Sequence, residues 1–421
     1  MSSAGTKEKT ETRTLPGWPY SAPDEIEAAV RVLESGKINY WTGDEGRRFE
    51  AEFAAFAGCK YGVALANGTV ALELALLAAD TGNLTPEARR HGESQPRAAV
   101  PHEQEVGEVV TASRTFVASA SCAVMRGLKP VIADVDRESQ NVTAETIRAA
   151  LTPRTKAIVA VHLAGWPCDM DPILELAREH GLLVIEDCAQ AHGATYKGRP
   201  VGSMGDVAAF SFCQDKIMTT GGEGGMLVTN NETIWERAWA YKDHGKNYDA
   251  VYRREHAPGF KWLHESFGTN WRLTEMQSAL GRVQLQKLPE WVESRRRNAR
   301  ILTETFLRLP ALRVTEPPVE VGHSYYKYYA FVRPERLKKS WDRDRIAAEI
   351  SARGVPCFSG SCSEIYLEKA FSEDMRPARR LPVAKELGET SLMFLVHPTL
   401  SEDDVRWMAK VTNQLIEKAT E

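Results

Sequence analysis

A chain of 421 residues, 43% hydrophobic and 26% charged, has the make-up of a folded globular protein and is long enough to need more than one core. Its formal net charge of -4 gives no reason to expect nucleic acid or an anionic membrane surface as a partner. No apolar run approaches the ~20 residues that a membrane-crossing helix needs.

Residues 1–20 are expected to be a flexible tail, polar and without the apolar stretch of a secretory signal. Pro23-Asp24-Glu25 opens a helix that stops near Gly36. Ile38-Asn39-Tyr40-Trp41-Thr42-Gly43 is a loop rich in aromatics, and residues 47–57 form a second amphipathic helix. Residues 61–66 read as a strand, followed by Asn67-Gly68-Thr69 and a helix over 70–79. A strand, a Gly-Thr turn and a helix N-terminus make an anion site, because unpaired N–H groups and the positive end of the dipole meet there. The same residues could equally serve only as helix caps. An insertion near 81–107, polar and holding Pro and His, reads as a surface excursion. The sheet resumes at Glu108-Val109-Val110-Thr111, followed by Ser113-Arg114-Thr115-Phe116 and a helix over 117–125. A strand at 130–135, a helix at 143–151 and a strand at 157–162 ending in His162 come next, then a helix at 169–180. This alternation implies a mostly parallel sheet with helices on both faces. No GxGxxG opens a unit here, so the sheet is not a dinucleotide fold.

Two stretches carry the chemistry. Residues 182–186 form a buried strand that ends in Asp187, followed by Cys188-Ala189-Gln190. Residues 207–212 form a second apolar run, which leads through Cys213-Gln214-Asp215 to a single Lys216. Thr220-Gly221-Gly222-Glu223-Gly224-Gly225 and a strand at 226–229 follow. The lysine precedes the glycines, so the stretch is not a phosphate loop of the GxxxxGK[ST] type. Ligands in open α/β sheets sit at the carboxyl ends of strands. A lysine and an acid at successive strand ends suit pyridoxal 5'-phosphate, which needs a Schiff-base lysine and an acid for its pyridine nitrogen.

The remainder holds a helix at 234–241, a polar and aromatic loop at 242–269, and Asn270-Trp271-Arg272 before a helix to 288. Pro289-Glu290-Trp291 marks the exit from a large domain spanning 21–289. A basic helix at 291–309 follows, whose Arg295-Arg296-Arg297 run reads as a solvated face. Strands at 326–332, 356–358 and 391–395, with helices at 342–354 and from Ser401, make 290–421 a small α+β domain. The seven cysteines are odd in number and form no CxxC pair, which argues against a disulfide framework or a metal site and fits a reducing cytoplasm.

Asn67-Gly68-Thr69, Glu186-Asp187-Cys188-Ala189-Gln190, Phe210-Ser211-Phe212-x-x-x-Lys216 and the glycine-rich stretch 220–225 occur in an order that resembles the DegT/StrS-type nucleotide-sugar aminotransferases. The resemblance covers about residues 38–288 and extends more loosely to the C-terminus. It implies a three-layer fold-type I pyridoxal-phosphate architecture, with Lys216 and Asp187 as catalytic residues. It further implies cofactor contacts from Gly68, Thr69, Phe116, Gln190 and Ser211, and from Asn270 of a neighbouring subunit. The expected assembly is therefore a homodimer with shared active sites. The expected substrates are L-glutamate and a nucleotide-linked keto-sugar, and the loop at 38–43 either lies over substrate or packs on the core. A histidine replaces this lysine in the family's dehydratase branch, so Lys216 favours transamination. The alternatives are another fold-type I enzyme, a lyase or dehydratase, and a pyridoxal-phosphate-binding regulator without turnover.

Overall fold

Apolar runs of five to seven residues, each bounded by polar turns, become seven strands of one sheet. They are β1 (Tyr61–Leu65), β2 (Glu108–Ala112), β3 (Lys129–Ala133), β4 (Thr155–Val161), β5 (Leu183–Asp187), β6 (Val207–Ser211) and β7 (Gly225–Thr229). The computed structural model describes residues 13–79, 106–255 and 261–420. Nearly all of the expected insertion, and residues 1–12 of the expected tail, lie outside the described residues.

The spatial order is β1-β7-β6-β5-β4-β2-β3. All neighbours pair in parallel except β7, which runs antiparallel to both β1 and β6. β2, β6 and β7 are buried along their whole length, as strands covered on both faces must be. The reversed β7 brings Gly225 opposite both Leu65 and Ser211. The ends of β1, β5 and β6 and the start of β7 therefore share one edge of the sheet. A Cβ on Gly225 would stand 2.3 Å from the Asn67 carbonyl oxygen, so only glycine lets the turn after β1 settle onto β7.

A second, antiparallel sheet orders Leu312–Val314, Tyr328–Val332, Ser391–Phe394 and Cys357–Phe358 side by side. Its own core includes Phe306, Tyr328, Ile346, Phe394 and Met408. The helix Pro382–Thr390, with proline in its first turn, has no counterpart in the sequence reading.

One helix, Glu275–Phe306, joins the two cores, and it corrects two expectations. It runs unbroken through Pro289, where the sequence reading ends one helix and starts another. Proline deletes its own N–H and crowds the preceding turn. Leu285, Leu288 and Val292, buried on either side of it, hold the helix in the large core, and Ala299, Leu302 and Phe306 enter the small one. Arg295 is also not on a solvated face. It falls in the same stripe, spaced three or four residues from Val292 and Ala299, and is 2% exposed. Arg296 and Arg297, turned away from that stripe, remain partly exposed. Among the described residues no helix is long and apolar enough to cross a membrane.

Candidate active site

Asp187 ends β5 and is 5% exposed. Its Oδ2 accepts the Ser119 hydroxyl at 2.7 Å, and its Oδ1 accepts the Ala189 N–H at 3.1 Å. Ser119 Oγ lies 2.8 Å from Thr115 Oγ1. Since Ser119 spends its proton on the carboxylate, Thr115 donates to Ser119. This relay comes from the first turn of the helix Ala118–Met125 and from the turn before it, which also carries Phe116. Phe116 is 65% exposed, an unusual state for a phenylalanine whose neighbours Thr115 and Ala118 are buried.

Beneath Asp187 lies a satisfied polar group. His162 Nδ1 accepts the Cys168 N–H at 2.9 Å, so its Nε2 carries the proton and donates to Glu186 at 3.0 Å. Burial opposes ionisation of Glu186, yet His162 and the N–H groups of Gly205 and Gly202 hold its carboxyl below the ordinary range. His162, Glu186 and Cys188 could be read as metal ligands, their donor atoms lying within 4.8 Å of one another. His162 and Glu186 are committed to each other, and burial pushes the Cys188 thiol well up, away from the thiolate a metal requires.

Gln190 accepts the Ala164 N–H on Oε1 at 2.8 Å, which leaves its NH₂ donors without a described partner. Ala164 itself has φ 56°, a left-handed conformation rare for a residue with a Cβ. Its carbonyl accepts the Tyr326 N–H at 2.8 Å and so ties the loop after β4 to the small sheet.

The helix Gly68–Ala78 starts after Asn67, whose side chain accepts the Val70 N–H at 3.0 Å. The N–H groups of Gly68 and Thr69 meet no described acceptor. A Cβ on Gly68 would lie 2.6 Å from Ser211 Cβ, so the helix N-terminus and the end of β6 touch there. The cap role and an exposed pair of N–H donors are thus both present.

Lys216 is half-buried in the turn after β6. Its N–H bonds the Cys213 carbonyl at 3.1 Å, its carbonyl accepts the Trp18 Nε1–H at 2.8 Å, and its Nζ stands 5.1 Å from the centre of the Tyr326 ring. Asp215 beside it accepts the Tyr326 hydroxyl and lies 3.5 Å from Lys327 Nζ. The glycine-rich loop is braced from inside: Thr219 Oγ1 donates to the Phe212 carbonyl at 2.9 Å, and Gln284 takes the Thr219 N–H at 2.8 Å.

The sheet edge thus gathers Gly68, Thr69, Asp187 and Ser211, with Phe116, Gln190 and Lys216 on the loops leaving it. Asn270 stands apart. Its backbone bridges Asp243, next to the pairing of Leu65 with Arg272, and its side chain is exposed without a described partner in its own chain. Residues 38–43 pack inward at Tyr40, whose hydroxyl donates to Glu50 at 3.0 Å beside the buried Lys242. Trp18, Ser119, Tyr326 and Lys327 carry no functional reading in the sequence, and Arg295 reads there only as part of a solvated face. Ser119 alone left a trace, since three residues past Phe116 on a starting helix is the same face.

The sequence pattern of the DegT/DnrJ/EryC1/StrS aminotransferase family matches residues 19–412. GDP-perosamine synthase of Caulobacter vibrioides is 34% identical over 383 residues, 89% of this chain and 92% of that one. An aminotransferase from Psychrobacter cryohalolentis has a crystal structure similar at a TM-score of 0.89, with 52% identity over 96% of this chain and 99% of that one. The structure of Streptomyces venezuelae DesV with a ketimine intermediate is similar at 0.79, with 29% identity over 93% and 94% of the two chains.

Proposed function

Since this chain belongs to the DegT/DnrJ/EryC1/StrS aminotransferase family and is a sugar aminotransferase of fold type I, we propose that it moves an amino group from L-glutamate to the keto carbon of a nucleotide-linked sugar, with pyridoxal 5'-phosphate as cofactor. The observation that carries this reading is the pairing of Lys216 after β6 with a buried, doubly hydrogen-bonded Asp187 at the end of β5.

The residues fit the cofactor. Asp187 is a buried acid pinned by Ser119 and Ala189, as a carboxylate facing a pyridine N–H should be. The unpaired N–H groups of Gly68 and Thr69, with the Ser211 hydroxyl against them, form a phosphate cradle that a Cβ at Gly68 would fill. Phe116 offers an open ring face, and Gln190 an NH₂ for the phenolic oxygen. When bound, the protonated ring is an electron sink for the carbanion formed at the donor's Cα.

Lys216 would hold the cofactor through Nζ. Once displaced by the donor amine, the same Nζ would act as the base that takes the donor's Cα proton and delivers it to the cofactor's C4′, on the far side of the nitrogen. Asp187 keeps the ring nitrogen protonated, and the Thr115–Ser119 relay fixes the direction of its Oδ2. Lysine at this position supports transamination over dehydration. The exposed, unpaired Asn270 side chain suits a role in a neighbour's phosphate site, so the assembly we propose is a homodimer with shared sites. The seven free thiols suit a reducing compartment, and we place the enzyme in the cytoplasm.

The test offers ¹⁵N-glutamate and a panel of nucleotide-linked keto-sugars to the holoenzyme and weighs the products. Heavy nitrogen on one sugar is the expected result. A cofactor that glutamate leaves spectrally unchanged, with no labelled sugar, would contradict the proposal.

A further inference from the structure

Two cations beside Lys216 have no part in the reaction described above. The ammonium groups of Lys216 and Lys327 stand 5.1 and 4.5 Å from the centre of the one Tyr326 ring, so their separation cannot exceed the sum of those distances. Arg295 is sealed in behind them. Its guanidinium lies 5.2 Å from the Trp18 ring centre, and its Nη1 donates to the Tyr326 carbonyl at 3.3 Å. Its Nε and Nη2 have no partner among the described residues. Trp18 closes this corner, its Nε1 on the Lys216 carbonyl and its ring stacked on His397.

The charges do not balance. Asp215 is the carboxylate that acts most strongly on Lys327 and on Arg295. Its side chain is 54% exposed and its oxygen is 3.5 Å from Lys327 Nζ, so water screens much of the attraction. Burial pushes Arg295 down to about 9 and lowers Lys327, with Arg295 and Lys216 adding to the fall at Lys327. The same field reaches His397, which burial and then the charges of Arg295 and Lys327 push down to about 3. A partly buried ammonium with one weak partner, in a region already rich in positive charge, is short of an anion.

We propose that Lys327, backed by Arg295, is a carboxylate-binding subsite beside Lys216 that receives a carboxylate of the substrate reacting there. The inference rests on the aminotransferase reading. The group that must approach Lys216 Nζ is the donor's Cα, and its carboxylate is attached to that carbon. An acid group on the acceptor sugar is the other source of the same chemistry. Lys327 makes the contact, since its side chain is 16% exposed. Arg295 does not reach the surface and is a positioning residue, acting through its charge and its hold on the Tyr326 carbonyl.

The test titrates the holoenzyme calorimetrically with glutarate, a dicarboxylate that cannot donate nitrogen, and with glucuronate. Wild type should bind at least one of them. Lys327→Met should weaken that binding about tenfold or more, the loss expected of one charge-assisted hydrogen bond. Lys327→Arg should keep it within about threefold, because the charge remains. Weakening confined to glutarate assigns the subsite to the amino donor; weakening confined to glucuronate assigns it to a sugar acid. In the donor case, KM for glutamate rises in Lys327→Met far more than kcat falls. Failure of wild type to bind either acid, or equal binding by wild type and Lys327→Met, overturns the proposal. A wild type that binds glutarate through Lys327, but whose cofactor glutamate leaves spectrally unchanged and which labels no sugar, would sink the aminotransferase reading and leave the subsite standing.

Discussion

A methyl group added to Gly68 tests whether the helix N-terminus and the end of β6 form one cradle. The new Cβ would stand 2.6 Å from Ser211 Cβ and 3.1 Å from both Ser211 Cα and Oγ. Carbon atoms rest at about 3.5–4.0 Å, so one element must retreat by roughly 1 Å. Overpacking of this kind costs about 1–3 kcal/mol. The parts displaced are the Gly68 and Thr69 N–H groups and the Ser211 hydroxyl, so the loss should surface in cofactor affinity, by roughly five- to 150-fold. The assay titrates stripped protein with pyridoxal phosphate and follows the visible absorbance. Four proteins are needed: wild type, Gly68→Ala, Ser211→Gly and the double variant. Ser211→Gly weakens binding on its own by losing the hydroxyl, but it also removes the atom that collides most closely and leaves only the Cα at 3.1 Å. Gly68→Ala should therefore cost less in that background, by about 1 kcal/mol. Equal costs in both backgrounds, or unchanged affinity in Gly68→Ala, would refute the cradle.

Ser119→Ala strips Asp187 Oδ2 of its donor in a site 1% exposed at Ser119 and should lower cofactor affinity about tenfold, while Ser119→Thr keeps part of it; titration of both variants checks this, and an unaffected Ser119→Ala would contradict it. Once Asn270→Ala alone is shown to be strongly impaired, mixing it with Lys216→Ala subunits should restore one of the two sites in each hybrid dimer if Asn270 serves its neighbour; proven exchange without recovery would place Asn270 in its own chain's chemistry. Lys242→Ala leaves Glu50 buried without its cation and should cost about 3–5 kcal/mol in urea unfolding, against little for exposed Lys37→Ala.

What could be read ahead of the structure was whatever depends on local pattern. The apolar runs before Asp187 and Lys216 are strands because nothing else buries five such residues on both faces, and a parallel sheet then sends both residues to one edge. Asn67-Gly68-Thr69 was legible for the same reason, since a strand, a cap residue and a helix follow without a gap. The misses all depend on long-range packing. Arg295 sits among arginines and reads as surface; only the phase of a helix that ignores Pro289 turns it inward. Trp18 lies in a segment with no periodicity, and its hydrogen bond crosses 198 positions to the Lys216 carbonyl. Lys327 falls inside the stretch 326–332 that reads as a strand, and nothing there marks it until the Tyr326 ring shows what it shares with Lys216. Asn270 is a different case: a role in a neighbouring subunit has no signature in one chain beyond a side chain left exposed and unpaired.

The central claim is that Lys216 holds the cofactor while Asp187 faces its ring nitrogen. The most direct measurement reduces the yellow holoenzyme with borohydride, digests it and locates the pyridoxyl phosphate by mass spectrometry. The added mass should sit on the peptide containing Lys216, with none in Lys216→Ala. Modification of a different lysine, or a cofactor that leaves no mark on the chain, would contradict it.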